Sequence, residues 1–182
     1  MTTALLLIDI QNDYFPHGAM PLANSEAASQ RASELIATCR KRELPIIHIQ
    51  HISTRPNATF FLPGTSGIDF HRSVTPQPHD TVIIKHFPNS FRETSLLPHL
   101  RQNSITRLII AGMMTHMCVD TTVRAAADLG FSCMLAHDAC ATRELVFDGN
   151  AVPAAQVQTA YLAALNGLFA TVQSVDAICA TL

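Results

Sequence analysis

Five short apolar runs recur along the chain: Ala4 to Ile8, Pro45 to Ile49, Thr81 to Ile84, Thr106 to Ala111 and Phe131 to Leu135. Each is continuous rather than alternating, as a strand of a parallel sheet must be when both of its faces are covered. A sixth strand is expected near Ala170 to Val172. Between the runs lie stretches of helical composition. These are Asn24 to Arg42, with Asn24 or Ser25 as N-cap; Thr94 to Gln102; Cys118 to Leu129, closed by Gly130; and Pro153 to Leu168, whose proline suits a first helical turn. The alternation predicts an α/β, three-layer Rossmann-like fold, with a mostly parallel sheet of five or six strands and helices on both faces.

One segment breaks the rhythm. Residues 51 to 80 hold four prolines and two glycines and carry no periodic pattern. So long an irregular stretch is expected to cover a site or meet a partner subunit. The chain shows no repeat, linker or low-complexity tract, and its 182 residues suit a single domain, 1–182, with an adequate core. A formal net charge of −2 leaves no electrostatic footprint for nucleic acid or an anionic membrane, so a small molecule is the expected partner. Five cysteines without C-x-x-C spacing read as reduced thiols of a cytoplasmic protein. The apolar start, Thr3 to Ile10, lacks the basic flank and cleavage site of a signal peptide and falls short of a membrane span.

In open α/β sheets, ligands bind at the carboxyl ends of the strands, where helix N-termini also point. Asp9 ends the first predicted strand, Lys85 ends the third, and Cys118 opens a helix soon after the fourth. A cysteine in a first helical turn, with an ammonium nearby, is expected to be biased towards thiolate. The turn Gly112 to Met117 offers backbone N–H groups to an oxyanion. Taken singly, each side chain has a plainer reading: Asp9 as a turn residue, Lys85 as the first solvated position, Cys118 as a small buried hydrophobe. That plainer reading is the one adopted for Cys39, Cys133 and Cys179.

Together the blocks resemble the isochorismatase-like cysteine hydrolases, which include nicotinamidases, N-carbamoylsarcosine amidohydrolases and isochorismatases. The similarity spans nearly the whole chain, through Leu6-Leu7-Ile8-Asp9-Ile10-Gln11-Asn12-Asp13-Tyr14-Phe15, Phe61-Leu62-Pro63-Gly64-Thr65, Ile83-Ile84-Lys85 with Asn89-Ser90-Phe91, Ala111 to Val119, Thr121 to Ala126 and Asp138 to Thr142. The resemblance implies Asp9 as general base and acid, Lys85 as its charged partner and Cys118 as the nucleophile that forms a thioester. It also implies a cis peptide at Met113-Met114, an oxyanion hole from the N–H groups of Met114 and Cys118, and a homo-oligomer. Two positions depart from the pattern. His116 stands where the family often has an acid, and His48-Ile49-Gln50-His51 lacks the carboxylate of the nicotinamidase metal motif. His48, His51 and His71 are the zinc-ligand types present, but without that acid neither a metal nor any other cofactor is expected, and nicotinamide is not the expected substrate. Phe15, Phe91 and His116 are expected as pocket walls, with Tyr14, Phe87 and Met114 as further candidates.

The expected reaction is hydrolysis of a C–N bond in a small amide or N-carbamoyl compound, with release of ammonia. The alternatives are vinyl ether hydrolysis, for which a nucleophile is dispensable, and a non-catalytic binding protein on the same scaffold. A dinucleotide- or flavin-binding module ranks last, since Gln11 to Phe15 holds no glycine-rich turn.

Overall fold

The computed structural model describes residues 2–182. Six strands form one sheet: β1 (Thr2–Ile8), β2 (Ile46–His51), β3 (Thr81–Lys85), β4 (Ile105–Met113), β5 (Ser132–Ala141) and β8 (Thr171–Gln173), in the order β3-β2-β1-β4-β5-β8. Every neighbouring pair is parallel. The remaining two strands, β6 (Leu145–Phe147) and β7 (Asn150–Val152), form a separate antiparallel hairpin.

The strand alternation sorts the core into two layers. Leu5, Leu7, Ile109 and Ala111 face α1 (Ser25–Lys41) and α5 (Val175–Thr181). Leu6, Ile8, Ile47, Ile49, Ile83 and Leu108 face the opposite layer, made by α2 (Leu96–Gln102), α3 (Asp120–Asp128) and α4 (Ala154–Leu165). Burial on both faces explains why these strands read as unbroken apolar runs. Among the described residues, no helix is long and apolar enough to cross a membrane.

Several boundaries differ from the sequence-based expectation, each for a local reason. The helix expected from Cys118 begins at Asp120. Before it, Thr115–Val119 forms a wide π-helical turn in which the Met114 carbonyl accepts from Met117 N (3.0 Å) and Val119 N (3.2 Å). β5 runs six residues past Leu135, to Ala141, because its pairing with β4 resumes beyond an irregularity at Ile110/Gly112. Asn24 precedes α1 in a left-handed conformation (φ 59°) without a side-chain cap bond, and Pro153 precedes α4 rather than opening it. The β6–β7 hairpin and α5 had no counterpart in the periodicity. The hairpin buries little, with Phe147 83% exposed, so no apolar pattern marks it.

Candidate active site

The strand order lays the polar residues along one rim. Lys85 is the last residue of β3, His51 the last of β2, Asp9 follows β1, the Met113-Met114 peptide at the end of β4 is cis, and Arg143 lies just beyond β5. His51 and Lys85 are register partners, and both share the face of Ile49 and Ile83, the layer in which Cys118 is buried. Sheet pairing therefore aims a histidine and a lysine at the cysteine. Asp9 joins them through a left-handed turn (φ 51°), an unusual conformation for a non-glycine residue that carries the chain off the strand.

Lys85 Nζ lies 2.7 Å from Asp9 Oδ2, and both side chains are fully buried. The ammonium also donates to the carbonyls of Phe87 (3.1 Å) and Pro88 (3.4 Å) and sits 3.0 Å from His51 Nδ1. An ammonium has only donors, so His51 Nδ1 accepts and the ring proton is assigned to Nε2. That same Nδ1 lies 3.6 Å from Asp9 Oδ2 and 3.9 Å from Cys118 Sγ. Asp9, His51 and Cys118 each bring one atom within 4.8 Å of the others.

Burial disfavours charge on Asp9, but the Lys85 ammonium outweighs it and holds the carboxyl below its usual range. Burial likewise opposes the Lys85 charge, and Asp9 overcomes it, raising the amine above its ordinary value. The thiol behaves differently from the sequence-based expectation. Burial, reinforced by the Asp9 charge, pushes Cys118 well up against the opposing pull of Lys85, which favours the neutral thiol over the thiolate. The π-turn matters here too, since Cys118 precedes α3 instead of occupying its first turn.

Above the thiol opens a cavity of about 410 Å³. Its walls come from Tyr14, Met114 and Met117, and from residues 53 and 55–60 of the long irregular segment, which thus covers the site. Gln11 pins that segment: it donates to the His51 (2.9 Å) and Ile68 (2.8 Å) carbonyls and accepts from His51 N (2.7 Å). Asp13 accepts from Phe61 N (2.6 Å) and Ala19 N (3.1 Å). Much of the Gln11-Asn12-Asp13 block is thereby explained as loop anchoring.

The three expected pocket walls lie elsewhere. Phe15 stacks on His71 with centroids 3.6 Å apart, Phe91 packs against Phe131 at 6.1 Å, and His116 Nδ1 meets Thr142 Oγ1 at 2.5 Å beneath Tyr161. Each aromatic found a core or stacking partner instead of the cavity. Burial and Arg143 depress the pKa of His116, which fits a neutral packed ring. Phe87 carries the Arg92 guanidinium on its face at 3.7 Å. Sequence reasoning missed Arg55, Asn57, Phe60 and Arg143, and it weighed His51 only as a metal ligand. The adjacency of His51 to a strand end was the available signal.

The histidines also separate as metal donors. His48 lies 3.3 Å from Asp80 on the α1 side of the sheet, His71 rests on Phe15, and only His51 reaches the site. There the Lys85 ammonium already stands against Asp9 and His51. A divalent cation among those donors would face a buried positive charge, so the residues do not fit a resident metal.

The family model of the isochorismatase domain matches residues 3–177. The chain belongs to the isochorismatase family. This isochorismatase-family hydrolase is 49% identical, over 97% of its own length and 98% of the relative's, to the isochorismatase family protein YddQ of Bacillus subtilis (strain 168). A crystal structure of an isochorismatase hydrolase from Oleispira antarctica superposes with a TM-score of 0.94 at 48% identity, covering 98% of this chain and 96% of that one. A streptothricin hydrolase of Streptomyces noursei is 32% identical over 78% of this chain and 50% of that protein.

Proposed function

We propose that this isochorismatase-family hydrolase cleaves a C–N bond in a small amide or N-carbamoyl compound through a thioester on Cys118. The observation that carries the reading is a buried thiol in the wall of one cavity with an ion-paired carboxylate held beside it. Asp9 stays ionised in a covered site and has an oxygen, Oδ1, without a hydrogen-bond partner. It is therefore equipped to accept the thiol proton when substrate arrives.

Sγ then adds to the carbonyl carbon as Asp9 takes the proton. The N–H groups of Met114 and Cys118 are assigned to the developing oxyanion. Collapse breaks the C–N bond, and protonated Asp9 gives its proton to the leaving nitrogen. Water next attacks the thioester, Asp9 removes the water's proton, and the sulfur leaves as thiol with release of the acid. Lys85 keeps Asp9 charged and oriented between steps. A neutral resting thiol suits this sequence, since proton removal is coupled to attack.

The test is ammonia release from a panel of small primary amides and N-carbamoyl compounds. Turnover lost in both Cys118→Ala and Asp9→Asn supports the reading. Ammonia release retained in Cys118→Ala overturns the thioester in favour of direct attack by water, and a protein that releases no ammonia from the panel but hydrolyses a vinyl ether overturns the amidase reading.

A further inference from the structure

His51 is fixed at both its backbone and its ring. Its N–H and its carbonyl are bonded to the Gln11 side chain (2.7 and 2.9 Å), and its ring leans on Phe61 with centroids 5.6 Å apart. Phe61 is held in turn, its N–H donating to Asp13 at 2.6 Å. Strand pairing sets His51 directly opposite Lys85. Around the Lys85 ammonium stand Asp9 Oδ2 at 2.7 Å, His51 Nδ1 at 3.0 Å and the carbonyls of Phe87 and Pro88 at 3.1 and 3.4 Å. An ammonium has only three N–H groups, so two of these acceptors share one, and the consecutive Phe87 and Pro88 carbonyls, the longest contacts, are the pair that does. One N–H then serves Asp9 and one serves His51, and none is left for Cys118 Sγ, although Sγ lies 3.9 Å from His51 Nδ1. The other titratable and charged groups about the sulfur are the Tyr14 phenol and, lining the same cavity, Arg55 and Arg143, while His116 on the same turn faces Thr142 instead.

We propose that His51 is a positioning residue for the cleavage: by accepting one Lys85 N–H at Nδ1 it keeps the ammonium turned from Cys118 Sγ, so that the proton stays on sulfur until a substrate carbonyl is in place and Asp9 removes it. The proposal rests on the reading of Cys118 as nucleophile and Asp9 as base, and it adds the residue that decides when the thiol ionises. His51 itself exchanges no proton: the thiol proton goes to Asp9, and Lys85 keeps its own. Without Nδ1, the freed N–H faces the space beside Sγ and forms a charge-assisted bond there. That bond favours thiolate before substrate arrives and must break before the sulfur can attack.

The first test follows the pH dependence of iodoacetamide labelling at Cys118 by peptide mass spectrometry and needs no substrate. His51→Leu removes the acceptor, and His51→Asn restores one at Oδ1. In His51→Leu the labelling profile is expected to move to lower pH by about 1 pH unit, as for a thiol that gains a cationic partner. The rate at neutral pH should rise about threefold, because the gain in thiolate is tempered by weaker nucleophilicity. His51→Asn should return the profile towards the native one. Mere exposure of the thiol would act the other way, since Asn fills less of the vacated space than Leu. A profile that stays or moves to higher pH in His51→Leu, or one that moves as far in His51→Asn, overturns the proposal. The second test needs no variant that could fail to fold: the ring-nitrogen NMR shifts of His51 at neutral pH. A bare Nδ1 with the proton on Nε2 is expected, and a proton on Nδ1, in the other tautomer or in the imidazolium, overturns the proposal. Should no amide release ammonia, the amidase reading fails while the labelling and the ring shifts still decide the role of His51.

Discussion

Lys85 and Asp9 show how a buried ion pair is both an asset to chemistry and a liability to folding. Removing one partner leaves the other charged, buried and unpaired, which costs roughly 3–5 kcal/mol. Lys85→Met is therefore expected to lower stability by about that amount in denaturant titrations and to raise the Asp9 pKa. The depressed Asp9 pKa contributes stability above the ordinary carboxylate value, and that stability disappears as pH falls through the folded-state value. In Lys85→Met this acid limb should shift upward. His48 makes a second pH prediction. Burial, against the opposing pull of Asp80, lowers its pKa from the usual 6.5 to about 4, so the folded state resists a proton that the unfolded chain accepts. Stability should rise with pH between those two values and level off above the higher one. His48→Gln should flatten that slope, as measured by chemical denaturation across the window.

At the level of elements, two features hold the site in place. β1 and β4 approach so closely that a Cβ on Gly112 would lie 2.1 Å from the Ile8 carbonyl oxygen, and its φ of 141° suits only glycine. Gly112→Ala forces these strands apart beside the Met113-Met114 peptide. A loss of about 3 kcal/mol or more is expected, with activity reduced in whatever fraction folds. The long segment over the cavity depends on Gln11, which is itself fully buried. Gln11→Ala strands the His51 N–H and removes the side-chain donor to the His51 carbonyl, while the Ile68 carbonyl keeps its bond from Gln50 Nε2 (2.8 Å), at a cost of about 2–3 kcal/mol. Limited proteolysis should then cut within residues 51–80 before the rest of the chain. By contrast, Phe147→Ser on the β6–β7 hairpin should shift stability by no more than about 0.5 kcal/mol, because the ring is exposed.

Across the whole molecule, the site is a property of strand order. Lys85, His51 and Asp9, at the ends of β3, β2 and β1, gather around Cys118, and Met114 and Arg143, beyond β4 and β5, line the cavity beside it, because those strands are neighbours in that order. This is why the grouping of Asp9, Lys85 and Cys118 was legible in the sequence: each stands at or near the carboxyl end of an apolar run, and the rule for open α/β sheets joins such ends. Boundaries at Ser25 and Lys85 were legible for the same reason, since composition changes abruptly there. The cavity walls were not. Phe15, Phe91 and His116 are close in sequence to the catalytic candidates, but side-chain direction and nearby partners turned them into packing. Arg55 and Arg143 are polar residues in irregular chain, where no periodicity tells which way a side chain points. Nor did spacing distinguish the π-turn at Cys118 from a helix start, a difference that matters for the charge on the thiol. The most direct test of the account is mass spectrometry of acid-quenched protein during turnover of an amide found in the substrate panel. An acyl adduct mapped to Cys118 is expected, present in the native protein and absent in Asp9→Asn. Turnover without any adduct, in protein where hydroxylamine also traps no acyl group, would contradict it.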